Sequence, residues 1–302
     1  MSLFSIMTHV ATLISAPTSP AVTAAVIDAA AARLGATGTA TLAAGIATDV
    51  FVTLEPGSEK QVAEDLRAHL SAPIDVVVQK LAGRAKGLLI ADMDSTMIGQ
   101  ECIDELAAEV GLKDHIAAIT ERAMQGEIDF EPALRERVAL LAGLDADVVD
   151  RVIAERIHLT PGAVELVRTM KANGAWTALV SGGFTVFTGP VSRMIGFHEH
   201  RSNLLIEEAG KLTGTVAEPI LGQDAKRASL LELAAAKKVP MELTLAVGDG
   251  ANDLAMIREA GLGVAYHAKP RVAAEAHARI DHADLTALLY LQGYRRAEFV
   301  YE

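Results

Sequence analysis

Four short runs in this 302-residue chain place carboxylates, small residues and a lysine where chemistry on a small anion could be carried out. In Asp92-Met93-Asp94-Ser95-Thr96, two carboxylates two residues apart follow the apolar run Gly87–Ala91. They would repel each other unless a cation or separate protonation states relieved them. Gly248-Asp249-Gly250-Ala251-Asn252-Asp253 follows the apolar run Leu243–Val247 and adds two more carboxylates and an amide, with glycines that let the backbone turn tightly. Four carboxylates at two such strand ends would form an oxygen-rich site suited to Mg²⁺. Ser181-Gly182-Gly183 follows Trp176–Val180 and offers a hydroxyl and backbone N–H groups to an anion. Lys226 opens a helix expected to run to about Lys237. Each feature alone also reads as an Asp-capped turn, a surface Asp/Asn turn, a flexible Gly-Gly turn or a solvated lysine. Their joint occurrence, in order and at strand ends or loops, is what is specific.

The three apolar runs read as buried strands, and from residue 81 onward strands alternate with helices. That pattern predicts an α/β fold, a doubly wound parallel (Rossmann-like) sheet, in which ligands bind beyond the carboxyl ends of the strands. More than eighty residues of helical periodicity separate the first two strands, too many for one crossover helix. An inserted helical cap is therefore expected at about 98–160. Residues 1–80 read as a separate α+β unit of order βαββαβ: strands over Leu3–Ser15, Thr37–Ala44, Ala47–Leu54 and Asp75–Gln79, a helix with Val22, Val26, Ala30 and Leu34 on one face, and another from a Ser58 N-cap to about Leu70. Gly83-Arg84-Ala85-Lys86 reads as a linker to the second domain, residues 81–302.

Composition removes other classes. With 39 acidic against 27 basic residues the formal charge is −12, and aromatics are only 4% of the chain, so neither a phosphate-backbone surface nor a base-stacking platform is expected. No apolar run reaches the ~18 residues of a membrane span. The first basic residue is Arg33, which leaves no positive n-region for a secretory signal, and Cys102 is the only cysteine. A cytoplasmic protein is the expectation. His198-Glu199-His200 reads as solvated histidines in a loop, and Gly261-Leu262-Gly263 does not continue into a dinucleotide fingerprint.

The three runs together with Lys226 resemble the four motifs of the haloacid dehalogenase superfamily of phosphatases. Glu101-Cys102-Ile103-Asp104-Glu105-Leu106, the run Phe130–Val138 and Ala265-Tyr266-His267-Ala268-Lys269-Pro270 are similar to its members that hydrolyse phosphoserine. The resemblance spans roughly residues 87–290. It implies Asp92 as nucleophile, forming an aspartyl-phosphate, and Asp94 as general acid and base. It implies Mg²⁺ held by Asp92, the backbone carbonyl of Asp94 and Asp249, with Asp253 in support. Ser181, Gly182 and Lys226 would hold the phosphoryl oxygens, and Asn252 would orient phosphate or Lys226. For O-phospho-L-serine as substrate, Glu101 would meet the ammonium and Arg137 the carboxylate. Arg137 is preferred over Arg135 because it borders the apolar stripe of Phe130, Leu134, Val138 and Leu141, on a helix with Asp129 as N-cap and Pro132 in its first turn. Met124 and Phe130 would supply apolar walls. The activity so implied is the last step of serine biosynthesis. Two alternatives stay open: transfer of the phosphate to an alcohol such as homoserine, and an amino-acid-sensing regulatory protein. The βαββαβ unit resembles the ACT domain, which implies a homodimer or an effector site. The loop Ser15-Ala16-Pro17-Thr18-Ser19-Pro20 lacks the glycine usual in effector-binding members, and favours the structural role.

Overall fold

The computed structural model describes residues 7–125 and 127–301, apart from the Met124 side chain. The N-terminal unit runs β1 (His9–Ser15), α1 (Ala24–Leu34), β2 (Gly38–Ala43), β3 (Ala47–Val52), α2 (Glu59–Leu70) and β4 (Ile74–Lys80). This is the expected βαββαβ order; residues 3–6 of the first expected strand lie outside the described residues. The four strands form one antiparallel sheet of order β2-β3-β1-β4. Strand alternation sends Ala11, Leu13, Val50, Val76 and Val78 toward α1 and α2. Thr23 caps α1 through its side chain, whereas Ser58 makes no capping bond to α2 and donates instead to the Glu55 carbonyl.

The second part opens with β5 (Leu88–Ala91), followed by a wide turn over Met93–Met97. Four helices come next: α3 (Cys102–Glu109), α4 (Lys113–Met124), α5 (Phe130–Ala139) and α6 (Val148–Arg156). Then α7 (Ala163–Ala172) leads back to β6 (Trp176–Phe184), α8 (Thr185–Ile195) and β7 (Glu199–Asn203). A hairpin of β8 (Leu205–Glu208) and β9 (Lys211–Val216) precedes α9 (Gln223–Lys237) and β10 (Thr244–Gly248). The chain closes with α10 (Leu254–Glu259), β11 (Leu262–Tyr266), α11 (Pro270–Glu275), β12 (Ala278–Ile280) and α12 (Ala287–Leu291). Six strands form a parallel sheet of order β12-β11-β10-β5-β6-β7. From β5 the chain passes to one side and later returns to β10 on the other, so the crevice lies at the carboxyl end of β5. Register completes the placement: Ala91 is opposite Leu179 of β6 and Val247 of β10, so the residues just beyond these three positions emerge side by side.

Four expectations change here. The strand expected to end at Val180 runs to Phe184, with an irregularity between Val180 and Phe184, so Ser181-Gly182-Gly183 belongs to a bent strand end. Glu199 and His200 lie in β7 and not in a loop; His200 hydrogen-bonds Thr188, and His198 stacks on Trp176. Gly83–Lys86 connects the two parts without being free of either. The Arg84 guanidinium pairs with Asp49 of β3 at 2.6 Å and donates to the carbonyls of Tyr290 and Leu291 at the end of α12. Nor does the N-terminal sheet have a core wholly its own. Its second face sends Ile14, Leu42, Ile46 and Val77 into the same apolar cluster as Leu288 and Tyr290. Asp75 of β4 accepts backbone N–H groups of Asp281, His282 and Ala283 across this junction.

Candidate active site

Asp92 is the first residue beyond β5 and is 4% exposed. Its Oδ1 accepts the Met93 N–H at 2.8 Å and lies 2.7 Å from Lys226 Nζ. Lys226 comes from the first turn of α9 and has no solvent exposure, so the solvated alternative does not hold. Its second partner is Asp253 Oδ1 at 2.6 Å. Burial by itself depresses the Lys226 ammonium, but the carboxylates of Asp253 and Asp92 outweigh that and hold it above its ordinary value.

Asp253 folds back over Gly248, where a Cβ would collide with its carboxylate. Its Oδ2 accepts the N–H groups of Asp249 and Gly250 at 3.2 and 3.1 Å. Asp249, also 4% exposed, accepts the Thr96 hydroxyl at 3.1 Å. Asp92, Asp249 and Asp253 bring one carboxylate oxygen each within 4.8 Å of one another. Burial pushes the carboxyls of Asp249 and Asp253 upward, and the neighbouring acids push the same way; Asp253 reaches about 7. A buried cluster of hard oxygen donors whose charges oppose one another is the environment that a divalent cation relieves. The donor set therefore fits a metal.

Asp94 sits on the irregular turn with Oδ1 buried and without a hydrogen-bond partner among the described residues. Burial first, then the charge of Asp92, raises its carboxyl to about 7, against hydrogen bonds from Cys102. A carboxyl near neutrality can give and take a proton at working pH. Ser95, in the left-handed region at φ 55°, turns its hydroxyl onto Glu101 Oε1 at 2.6 Å. Burial, and then the charges of Asp94 and Asp249, push Glu101 well above the usual carboxylate range.

A cavity of about 300 Å³ opens between the strand ends and the helices α3, α4 and α5, lined by Asp94, Glu101, Arg137, Gly182 and Asn252 among others. Arg137 is 5% exposed and donates to the Ala133 carbonyl and the Thr120 hydroxyl. Arg135 points away and pairs with Glu218, as the helix geometry predicts. Asp129 occupies the N-cap position of α5 but makes no side-chain capping bond, a difference from expectation. Phe130 seats its ring on the strand end: a Cβ at Gly182 would lie 2.8 Å from Phe130 Cζ, so only glycine admits this approach. Ser181 accepts the Gly183 N–H at 2.9 Å. Asn252 lines the cavity, while the hydrogen bonds of Lys226 go to Asp92 and Asp253. The Met124 side chain lies outside the described residues.

The structure thus gathers Asp92, Asp94, Glu101, Arg137, Phe130, Ser181, Gly182, Lys226, Asn252, Asp249 and Asp253 around one crevice. Sequence reasoning assigns no role to Ser95 or Thr96, although both lie in a quoted motif, nor to Asp104 and Thr120. A hydroxyl next to an acid is a weak signal until folding shows what it touches.

The family description haloacid dehalogenase-like hydrolase matches residues 89–258, more than half of the chain and all four runs. The chain belongs to the haloacid dehalogenase-like hydrolases. Phosphatases of this family are metal-dependent, in keeping with the buried acids. The chain is 47% identical over 231 residues to a phosphoserine phosphatase of Streptomyces coelicolor, a match covering 76% of this chain and 56% of that one. It thus spans little more than half the length of that relative. A crystal structure of a haloacid dehalogenase-family hydrolase from Salmonella enterica serovar Typhi aligns with a TM-score of 0.80 at 31% identity, over 94% of this chain and 98% of the other. That likeness extends through the N-terminal unit. A phospho-aspartyl intermediate analogue of phosphoserine phosphatase aligns with a TM-score of 0.65 at 39% identity, covering 68% of this chain and 98% of that one. Among the described residues no helix is long and apolar enough to cross a membrane.

Proposed function

We propose that this hydrolase converts O-phospho-L-serine and water into L-serine and phosphate through an aspartyl-phosphate on Asp92. The observation that carries the reading is the cavity itself. It sets an acid, Glu101, and a buried arginine, Arg137, on the same small space as Asp94 and the Gly182 strand end. An ammonium and a carboxylate on one small phosphate ester match that pair of charges. The similarity to phosphoserine phosphatases, one of them a phospho-aspartyl analogue, supports the same reading.

Both contacts of Asp92 engage Oδ1, which leaves Oδ2 to attack phosphorus. As the Asp92 O–P bond forms, the bond from phosphorus to the serine oxygen breaks, and that oxygen takes the proton of Asp94. Water then attacks the aspartyl-phosphate, Asp94 takes back a proton, and phosphate leaves as the Asp92 carboxylate is restored. Lys226 and the backbone around Ser181 and Gly182 bind the phosphoryl oxygens. Asp92, Asp249 and the Asp94 carbonyl, with Asp253 in support, would hold Mg²⁺, which supplies positive charge between the nucleophile and the phosphate dianion. Phe130 closes one wall and excludes water.

The test is phosphate release from a panel of small phosphomonoesters with and without Mg²⁺, for the natural chain and for Asp92→Asn. Phosphoserine is expected to be preferred, with turnover lost in the variant. Near-native turnover by Asp92→Asn would refute the assignment.

A further inference from the structure

Arg137 is a buried cation held by neutral groups. Its Nε donates to the Ala133 carbonyl at 3.0 Å, within its own helix α5. Its Nη1 donates at 2.9 Å to Thr120 Oγ1, on α4. The Thr120 hydroxyl in turn lies 2.9 Å from Asp104 Oδ1, on α3, and 3.0 Å from the Ile116 carbonyl of its own helix; its single proton goes to the carboxylate, the stronger acceptor. Three helices of the cap thus meet at one hydroxyl, which is 3% exposed for the whole residue. Two of the five guanidinium N–H groups are engaged by these bonds, and Arg137 lines the cavity beside Glu101 and Asp94.

The chain of contacts has a consequence for charge. A carboxylate directly on Arg137 would make a bidentate pair, neutralise the guanidinium and claim the donors that face the cavity. The hydroxyl keeps Asp104 one atom away. Asp104 draws the Thr120 proton in preference to the neutral Ile116 carbonyl, so the oxygen lone pair is turned to Nη1, while the positive charge stays available to a ligand.

We propose that Thr120 is a positioning residue for carboxylate recognition: through its hydroxyl, Asp104 on α3 aims the Arg137 guanidinium into the cavity without neutralising it. This rests on the reading that Arg137 receives the substrate carboxylate. Thr120→Val keeps the shape and removes the hydroxyl; Arg137 then loses its orienting acceptor and Asp104 its donor.

The experiment measures kcat/KM for phosphoserine and for phosphoethanolamine, which lacks the carboxylate, in the natural enzyme, Thr120→Val, Thr120→Ser, Arg137→Ala and the double variant Thr120→Val/Arg137→Ala. Thr120→Val is expected to lower the preference for phosphoserine about tenfold, the scale of one hydrogen bond to a charged group, mainly through KM. Thr120→Ser restores most of that preference. In the Arg137→Ala background, Thr120→Val has no further effect on the ratio, because the group it aims is gone. If Arg137→Ala lowers the ratio and Thr120→Val does not, the Thr120 inference is overturned while the carboxylate reading stands. If Arg137→Ala leaves the ratio unchanged, the reading and the inference both fall. Should Thr120→Val not fold, Thr120→Ala takes its place in the same cycle, with an unchanged ratio again overturning the inference.

Discussion

Arg84 offers the sharpest test of how the two parts of the chain are joined. Its side chain is 11% exposed and that of its partner Asp49 is 3% exposed. Two guanidinium nitrogens reach the two Asp49 oxygens at 2.6 and 3.1 Å, and two more bonds go to the Leu291 and Tyr290 carbonyls at 3.0 and 2.9 Å. Arg84→Met preserves much of the apolar stem and deletes the charge, which leaves a buried carboxylate with the Thr12 hydroxyl at 2.8 Å and no counterion among the described residues. Breaking a buried pair from one side costs about 3–5 kcal/mol, because the remaining ion is desolvated without its counterion. At ~2 °C per kcal/mol for a chain of this size, the melting temperature should fall by about 6–10 °C. Calorimetric melting measures this directly. Arg84→Met/Asp49→Leu should recover more than half of the loss, because it removes the stranded charge as well. A single variant within ~2 °C of the natural protein would refute the reasoning, as would a double variant no better than the single.

Two other perturbations follow from the site. Gly182→Ala places a methyl 2.8 Å from Phe130 Cζ, so the ring must retreat by about 1 Å to reach ordinary carbon–carbon contact. KM for phosphoserine should rise several-fold, Phe130→Leu should return part of it, and steady-state kinetics showing no change in KM would count against Phe130 as the closing wall. Asp253→Asn removes the charge that Lys226 and the Asp249 and Gly250 N–H groups share. Titration of activity with Mg²⁺ should show a requirement about 10–100-fold higher, and an unchanged half-saturation would exclude Asp253 from supporting the metal.

Much of this site could be read before any fold was known, for a local reason. Gly87–Ala91, Trp176–Val180 and Leu243–Val247 are short apolar runs that end directly in acids or small residues, and parallel strands buried on both faces leave that mark on a sequence. Arg137 over Arg135 was legible from helical spacing, and the structure buries the first and leaves the second half exposed on a Glu218 pair. Lys226 was not legible as a buried group. Nothing in Gln223-Asp224-Ala225-Lys226-Arg227 distinguishes it from its charged neighbours; only the approach of α9 to the ends of β5 and β10 does. His198-Glu199-His200 looks like a loop because polar residues with no alternation also suit an edge strand, and pairing of β7 with β6 settles the matter.

By itself, the amino-acid sequence determined which groups could do the chemistry, that they follow buried strands, and that helices must be inserted between the first two of those strands. It could do so because hydrophobic period, turn residues and motif spacing act over a few neighbouring positions. The tertiary structure alone decided that Ala91, Leu179 and Val247 share a level in the sheet, that Asp94 is raised to about 7, that Thr120 stands between Asp104 and Arg137, and that the N-terminal sheet shares its core with the rest. Those outcomes depend on desolvation and on partners that can lie more than two hundred residues away. Both arise only when distant segments are packed against each other.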